Sequence, residues 1–392
     1  MTELDDRLAL LAGQAHEWAA ELRTHALEVD ADPSAVQRLT HLDTLRWAGS
    51  LQVPPEYNPR PLVIRGHRFH VMSALERVVF VEEGAWGDAG LTLGAPGAPM
   101  AGVLVNTLGS AEQKEWFFSR VLERPTWTFF ALTEPGHGSD PGRMETTVTG
   151  ASQGGPMTLT GAKRFVGNAA RGDIGVVFAR TGPGPLGLAA VLAESGTAGF
   201  RAEPIETTGL RGAQLGAITL DSVEIPADRM LGRHLKPVQR GMRGWLRTFN
   251  VVRPTVAAIG LGLSRAAVEY VRTHRRMLRA TERDRLDAME RRIRAVRALT
   301  HRAAAAVDHD PDQGHLASAA KVSSGRMAEE VTLAAREFFP AGARLDHPLL
   351  DKLIRDARGL EFMEGTRDIQ RLNLFNAMSR GAFGPTGGAV SR

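Results

Sequence analysis

An acidic residue near the carboxyl end stands where the sequence pattern breaks between two helical segments. Residues 361–371 read Glu-Phe-Met-Glu-Gly-Thr-Arg-Asp-Ile-Gln-Arg, so that Gly365 follows Glu364 and Thr366 can cap a new helix. In such a link the Glu364 side chain is free to enter a cleft, where burial would raise the pKa of its carboxyl and suit it to act as a general base. Taken alone, a surface glutamate beside a helix cap is the more common arrangement.

A second segment combines aromatic residues with a turn rich in glycine and hydroxyl groups. Residues 129–140 read Phe-Phe-Ala-Leu-Thr-Glu-Pro-Gly-His-Gly-Ser-Asp. A strand that runs into such a turn exposes backbone N–H groups and the hydroxyls of Thr133 and Ser139, which suits a flat hydrogen-bonding ligand such as a flavin. The segment is neither a G-x-G-x-x-G nor a P-loop. By itself it is more often a strand-ending turn with Ser139 or Asp140 as a cap.

A third segment opens a long apolar helical stretch. Residues 249–254 read Phe-Asn-Val-Val-Arg-Pro, and small residues such as Gly260 and Gly262 follow them. Arg253 can bind an anion or order a neighbouring carboxylate. Considered alone, this segment is better interpreted as an ordinary helix of a bundle.

The composition excludes several kinds of site. The 392 residues include no cysteine, which excludes disulfides, thiolate metal sites, iron–sulfur clusters and a cysteine nucleophile. The histidines lack the spacing of a ligand set, so we predict no metal site. Ser139 lies outside any G-x-S-x-G elbow, which argues against a serine hydrolase.

The charge pattern argues against a nucleic-acid partner. The chain has 48 basic and 44 acidic residues, and only five of the basic ones are lysines. The densest run of arginines, residues 272–297, is interleaved with acidic residues and contains no aromatic residue, which favours a solvated helix face or a site for a phosphate-bearing ligand. No apolar run reaches the roughly 18 residues of a membrane span, and residues 1–6 lack the order of a signal peptide. We therefore expect a cytoplasmic protein without a membrane span.

The elements that position these segments fall into three regions. Residues 1–125 show helical spacing of apolar residues, and Ser110 with Gln113 forms the pattern of a capping box. Residues 126–235 contain short apolar or alternating runs between turn residues, which predicts a small β barrel. Residues 236–392 return to long helical periods, which predicts a four-helix bundle. The predicted fold class is α+β, with an N-terminal helical domain, a middle β-barrel domain and a C-terminal helical bundle.

Four blocks of the sequence, in this order, resemble the acyl-CoA dehydrogenase family. They are the Glu-Glu-Gly-Ala-Trp-Gly of residues 82–87, the turn of residues 130–140, the segments around 209–212 and 223–232, and the link of residues 364–372. The turn that ends in Gly138-Ser139-Asp140 and the Glu364-Gly365-Thr366 link are each moderately specific, and in this order they are strong together. The resemblance covers roughly residues 10–380.

The resemblance implies an FAD enzyme that oxidises an acyl thioester between its α and β carbons. Glu364 would remove the α-proton while the β-hydride passes to the flavin, and the backbone N–H of Glu364 would help to hold the thioester carbonyl. The acyl group would be carried by coenzyme A or by a carrier protein. An electron-transfer flavoprotein or O2 would accept the electrons. A homotetramer or homodimer, with FAD bridging two subunits, is the expected assembly.

The resemblance also assigns roles by position. The residues expected to contact the flavin ring and ribityl chain are Phe130, Leu132, Thr133, Gly138, Ser139, Phe165, Val166 and Gly167. The residues expected at the cofactor phosphates are Thr366, Arg367 and Asp368. The residues expected at the substrate are Ser139, Asn250, Arg253 and Gly365.

Three departures from the family pattern leave alternatives open. Gly167 stands where a Thr or Ser usually donates to flavin N5, and Phe165 where Trp is usual, which raises the alternative of an oxidase or flavin monooxygenase of the same fold. Residues 271–278 and 337–343 replace segments that normally hold the distal half of FAD. We expect Arg275 or Arg276 to replace the missing phosphate contact. A cofactor-poor binding or scaffold homologue is the third alternative.

Overall fold

The chain folds in the predicted order of helices, sheet and helices. The structure, a computed structural model, describes residues 4–150, 155–184, 187–236, 240 and 242–382. Helices fill the first and last regions, and a curled sheet lies between them, so the predicted α+β class is confirmed. The boundaries at 125/126 and 235/236 stay predictions, although both fall between elements.

Six helices and a two-stranded sheet make up the N-terminal region. The helices are α1 Asp6–Thr24, α2 Ala26–Ala31, α3 Asp43–Ala48, α4 Ala74–Gly94, α5 Met100–Leu108 and α6 Ala111–Glu123, and the strands are β1 Leu62–Ile64 and β2 His67–Phe69. The predicted capping box is present at the start of α6, where the Ser110 hydroxyl accepts from the Gln113 backbone N–H and the Gln113 side chain accepts from the Ser110 backbone N–H. Helix α4 is interrupted at Asp88, whose backbone is extended (φ −157°, ψ 121°).

The middle region is a seven-stranded sheet. Its strands are β3 Thr128–Ala131, β4 Thr147–Thr149, β5 Met157–Val166, β6 Ile174–Arg180, β7 Leu188–Glu194, β8 Phe200–Pro204 and β9 Gly216–Ile225. Pairing follows the order β3-β6-β4-β5-β9-β8, with β7 on the other edge of β6. Strand β3 runs parallel to β6, while β5 pairs antiparallel with β9. The ends of β3 and β5 carry the predicted flavin contacts.

Long helices form the C-terminal bundle. They are α7 Met242–His274, α8 Ala280–His309, α9 Gly314–Arg336, α10 Ala343–Asp346, α11 Pro348–Gly359 and α12 Arg367–Ser379. Within the described residues, Gly244–His274 of α7 is the one helix long and apolar enough to cross a membrane, and most of it is buried inside the protein. That burial is what the core helix of a bundle requires.

The bundle and the N-terminal region share one core. Residues of α1, α4, α7, α8, α9 and α11 belong to a single buried apolar cluster. Helices α4 and α7 pack closely at Gly262, where an added Cβ would lie 2.6 Å from the backbone nitrogen of Trp86. On the same face of α4, buried Glu82 pairs with Arg265 at 3.0 Å and with Arg297. This packing fixes the bundle helices that carry the predicted substrate residues.

Candidate functional site

Glu364 lies in the short link between α11 and α12. Its backbone is left-handed (φ +50°), and so is that of Gly365 (φ +93°), so the chain reverses sharply at this point. Thr366 then caps α12 by accepting from the Ile369 backbone N–H. The backbone N–H of Glu364 donates to no group within the described part of the chain. A free N–H beside a carboxylate can bind a carbonyl oxygen next to a proton acceptor.

Burial and two cations set the charge of Glu364. Burial raises the pKa of its carboxyl to about 7, although the positive charges of Arg253 and Lys321 act in the opposite direction. The residue as a whole is partly exposed. A carboxyl that titrates near neutral pH can both accept and release a proton under working conditions.

Arg253 is a buried cation beside this link. Its residue is 6% exposed, and its guanidinium donates to the Asn250 side-chain oxygen at 2.7 Å. Its Nε forms no hydrogen bond within the described residues. Burial lowers the pKa of Arg253 to about 10, while Glu364 raises it, so the group stays charged at neutral pH. A buried guanidinium with a free donor is suited to a polar ligand in the adjoining space.

Both polar atoms of the Asn250 side chain form hydrogen bonds with other protein groups. Its side-chain nitrogen donates to the Pro311 carbonyl at 2.9 Å while its oxygen accepts from Arg253. Gly314 packs directly on this amide, since a Cβ there would collide with it. The Asn250 side chain therefore orients Arg253, and its place along the thioester arm stays a prediction.

The predicted flavin contacts come together at the ends of β3 and β5. The Arg164 backbone N–H donates to the Thr133 carbonyl at 2.8 Å and joins the two segments. Phe165 is 56% exposed and left-handed (φ +59°), an unusual state for an aromatic residue. The hydroxyls of Thr133 and Ser139 form no hydrogen bonds within the described residues. The predicted flavin contacts of these two joined segments form what we call the platform, defined by Phe130, Leu132, Thr133, Gly138, Ser139, Phe165, Val166 and Gly167.

A buried ion pair joins the two segments that form the platform. Lys163 and Glu134 lie 2.9 Å apart with side chains 0% and 4% exposed. Lys163 also donates to the Leu132 carbonyl at 3.1 Å, and Glu134 accepts from the backbone N–H groups of Glu145 and Thr146. Burial opposes ionisation, yet these donors together lower the pKa of Glu134 to about 2. The pair ties the turn after β3 to strand β5.

Phe249 connects the platform with the Glu364 link. Its ring meets that of Phe130 edge to face at 5.9 Å, and the Arg253 guanidinium lies 5.8 Å from the same ring. Phe249 was not among the site residues predicted from the sequence. Its position directly before Asn250, one helical turn before Arg253, was the available signal.

The residues predicted at the cofactor phosphates have other partners. Arg367 pairs with Glu361 at 2.6 Å and with Glu329 at 3.2 Å. Asp368 is highly exposed and lies 3.3 Å from Arg371. Arg367 is thus paired with two carboxylates, Asp368 is open to solvent, and Thr366 caps α12, while their place at the cofactor phosphates stays a prediction.

The two arginines predicted to replace a phosphate contact differ. Arg275 donates to the Phe338 carbonyl and pairs with Glu282 at 3.2 Å, so it braces the end of α7. Arg276 is exposed and has no partner within the described residues. No group of three or more His, Asp or Glu side chains among those residues is arranged to hold a metal ion.

Comparison with known proteins defines the class. Residues 129–223 match the model of the acyl-CoA dehydrogenase middle domain, and residues 239–379 match that of the acyl-CoA dehydrogenase C-terminal domain. An acyl-CoA dehydrogenase of Bacillus subtilis (strain 168) is 31% identical over 277 residues, which are 67% of this chain and 71% of that protein. The chain belongs to the acyl-CoA dehydrogenase family, and is an oxidoreductase of the kind that acts on CH–CH groups.

Solved structures agree with this assignment. The butyryl-CoA dehydrogenase of Megasphaera elsdenii is 26% identical, with a TM-score of 0.84 over 97% of this chain and 100% of that chain. The prolyl acyl carrier protein oxidase AnaB shares the fold at 21% identity, with a TM-score of 0.81 over 96% of this chain and 100% of that one. The predicted family, fold class and enzyme class are therefore confirmed.

The predicted cofactor, FAD, is the one that the family implies, and the platform fits it. A Cβ added at Gly167 would meet no atom within 4 Å, and one at Gly138 would meet only the Thr133 methyl at 3.9 Å. Both glycines therefore face open space next to an exposed ring. The free hydroxyls of Thr133 and Ser139 are donors of the kind that flavin carbonyls and nitrogens accept. At the residues predicted for the phosphates, Arg367 is already paired with Glu361 and Glu329.

Proposed function

We propose that this protein is a flavin-dependent dehydrogenase that forms a carbon–carbon double bond between the α and β carbons of an acyl thioester. The observation that carries the proposal is the position of Glu364: a carboxyl with a pKa of about 7, a free backbone N–H, and a buried arginine that adjoins the platform through Phe249. An exposed glutamate beside a helix cap would have neither the raised pKa nor the buried cation.

Glu364 and Arg253 have separate roles in the proposed reaction. The Glu364 N–H donates to the thioester carbonyl oxygen, which makes the α-proton more acidic. The Glu364 carboxylate then accepts that proton at a carboxylate oxygen. Bound FAD supplies a two-electron acceptor for the hydride that leaves the β carbon. The substrate thus loses one proton and one hydride and gains a double bond, while Arg253 holds positive charge beside the carboxylate.

The test replaces the Glu364 carboxylate with an amide of nearly the same shape that cannot accept the proton. Glu364→Gln should retain FAD, yet lose both flavin bleaching by short acyl thioesters without oxygen and exchange of the α-hydrogen into D2O. Glu123→Gln, at an exposed glutamate in the last turn of α6, is the matched control and should behave as wild type. If Glu364→Gln still bleached flavin at the wild-type rate, Glu364 would not be the base.

The carrier of the acyl group is part of the proposal. Both coenzyme A and a carrier protein present the same thioester, and the name of one structural neighbour refers to an acyl carrier protein while another refers to butyryl-CoA. Each of a small set of acyl groups should therefore be offered on both carriers. Faster flavin reduction on one carrier across the set identifies the physiological one.

An oxidase is the second candidate, because Gly167 offers no hydroxyl to the flavin and faces open space. The dehydrogenase would pass electrons to an electron-transfer flavoprotein, whereas an oxidase would form one H2O2 for each double bond in air. A monooxygenase would give a hydroxylated product without needing Glu364. Peroxide yield and product mass in air separate the three outcomes.

We also propose that the protein works as a homodimer or homotetramer. Three apolar residues on α12 are 53–66% exposed at a spacing of three, which places them on one helix face: Leu372, Phe375 and Met378. Large exposed apolar faces are uncommon on monomers. Light scattering should give two or four times the chain mass, and Phe375→Asp should lower it. Leu27→Asp, at an exposed leucine on α2, should not.

A further inference from the structure

A buried lysine holds the link that carries Glu364. Lys321 lies on α9, is 3% exposed, and donates from Nζ to the Glu361 carbonyl at 3.1 Å and to the Gly365 carbonyl at 2.6 Å. It forms no ion pair at 4 Å or less with a carboxylate among the described residues. A buried ammonium whose direct partners are carbonyls of a single link serves the geometry of that link.

A buried amide holds the same link from the other side. Gln370 on α12 is fully buried, and its Nε2 lies 2.9 Å from the Glu364 carbonyl and 3.4 Å from the Gly365 carbonyl. Its oxygen accepts from the Ser318 hydroxyl at 2.8 Å, which fixes the orientation of the amide. Two side chains therefore hold the two peptide carbonyls that follow the base.

The link needs such support because its backbone is strained. A left-handed conformation is unfavourable for a residue other than glycine, and Glu364 adopts it. Gly365 continues the reversal, and its added Cβ would lie 2.7 Å from the Gln370 side-chain nitrogen. Without the bonds from Lys321 and Gln370, the link could relax and carry the Glu364 carboxyl away from its position.

Lys321 also acts on Glu364 through charge. The charged groups that bear on this pair come from three elements: Arg253 on α7, Arg367 on α12, and Glu361 in the link. Burial lowers the pKa of Lys321 to about 8, with Glu361 and Glu364 raising it and the two arginines lowering it. The ammonium is therefore mostly charged at neutral pH and favours the carboxylate form of Glu364.

We propose that Lys321 and Gln370 are positioning residues that hold Glu364 in the geometry in which it removes the α-proton. This inference rests on the proposed function. It adds two residues outside the predicted set, and it separates their roles: Lys321 acts through geometry and charge, whereas Gln370 acts through geometry alone.

The experiment measures flavin reduction and α-hydrogen exchange against pH in the FAD-loaded enzyme. Lys321→Met should slow both by about tenfold or more and move the midpoint of the pH profile upward, because the carboxylate loses a nearby cation. Lys321→Arg should restore the midpoint and part of the rate. Gln370→Leu should slow both rates with the midpoint unchanged. Lys114→Met, at a lysine without a partner in the described residues, is the control.

The possible outcomes separate this inference from the proposed function. If Glu364→Gln is inactive while Lys321→Met and Gln370→Leu keep the wild-type rate and pH midpoint, the positioning role is wrong and the proposed function stands. If Glu364→Gln is active, the proposed function itself fails. Loss of stability alone, with the pH midpoint of Lys321→Met unmoved, also overturns the role given to Lys321. Should Lys321→Met not fold, Lys321→Arg and Gln370→Leu decide the geometric role.

Discussion

Removing Lys163 should weaken the platform because it leaves a buried carboxylate without its cation. Lys163 and Glu134 lie 2.9 Å apart, and both side chains are almost fully buried. Breaking such a pair from one side typically costs about 3–5 kcal/mol. Glu134 would keep its bonds from the Glu145 and Thr146 backbone N–H groups. We therefore expect Lys163→Met to lower the free energy of unfolding by about 3 kcal/mol, the lower end of that range.

The stability that Lys163→Met loses should depend on pH. In the native protein the pKa of Glu134 is about 2, below its ordinary 4.5, so its contribution to stability is complete above pH 4.5 and is lost as pH falls toward 2. In Lys163→Met the pKa of Glu134 rises, and acid neutralises the unpaired carboxylate. The difference between variant and wild type should therefore be largest near pH 7 and smaller near pH 5.

The assay is urea unfolding at pH 7 and pH 5, followed by circular dichroism and by flavin fluorescence. The double variant Glu134→Gln/Lys163→Met has no unpaired charge and should be more stable than Lys163→Met alone at pH 7. Lys114→Met controls for the loss of a lysine. A Lys163→Met protein within 1 kcal/mol of wild type at pH 7, or an equal loss at both pH values, would refute the reasoning.

Three further predictions concern the base, a second buried ion pair and a glycine of the platform. Flavin reduction by a thioester should rise with pH through about 7 in stopped-flow measurements, because the carboxylate form of Glu364 is the base; a flat profile would contradict this. Lys352→Met leaves Asp88 and Asp356 buried without their shared cation and should cost about 3–5 kcal/mol in urea unfolding, with a smaller loss in acid. A Cβ at position 167 would meet no atom within 4 Å, so Gly167→Ser should change the free energy of unfolding by less than about 0.5 kcal/mol. The H2O2 formed per turnover in air should fall in the same variant; unchanged peroxide would show that this hydroxyl does not govern the reaction with O2.

The architecture could be predicted because its signals are local. The capping box at Ser110 and Gln113 lies within four residues and needs no tertiary information. The change from helical spacing to short alternating runs likewise places the sheet between two helical regions. The break of α4 at Asp88 was not predicted. The Asp88 carboxylate accepts from the Leu91 backbone N–H and so caps the turn that follows, and it is also held by Lys352, more than 250 residues away.

The site could be predicted only in part for the same reason. The pattern around Glu364 indicated a carboxylate in an irregular link, and the structure has that link. Sequence could not show that Arg367 is taken by Glu361 and Glu329, because Glu329 comes from another helix. Nor could spacing show that Lys321, 43 positions earlier, bonds to this link. Each of these contacts depends on how helices pack, which local periodicity does not encode.

Lysine is scarce in this chain, and most of its few lysines lie at buried contacts between distant segments. Only five of the 48 basic residues are lysines, and three of these are buried: Lys163, Lys321 and Lys352. A lysine ammonium is compact and has three donors, so one buried lysine can bond to several carbonyl or carboxylate oxygens at once. Each buried lysine joins distant segments: the β3 turn to β5, the Glu364 link to α9, and the break in α4 to α11. The scarce cation therefore marks the points where the platform, the base and the two helical regions are held in place.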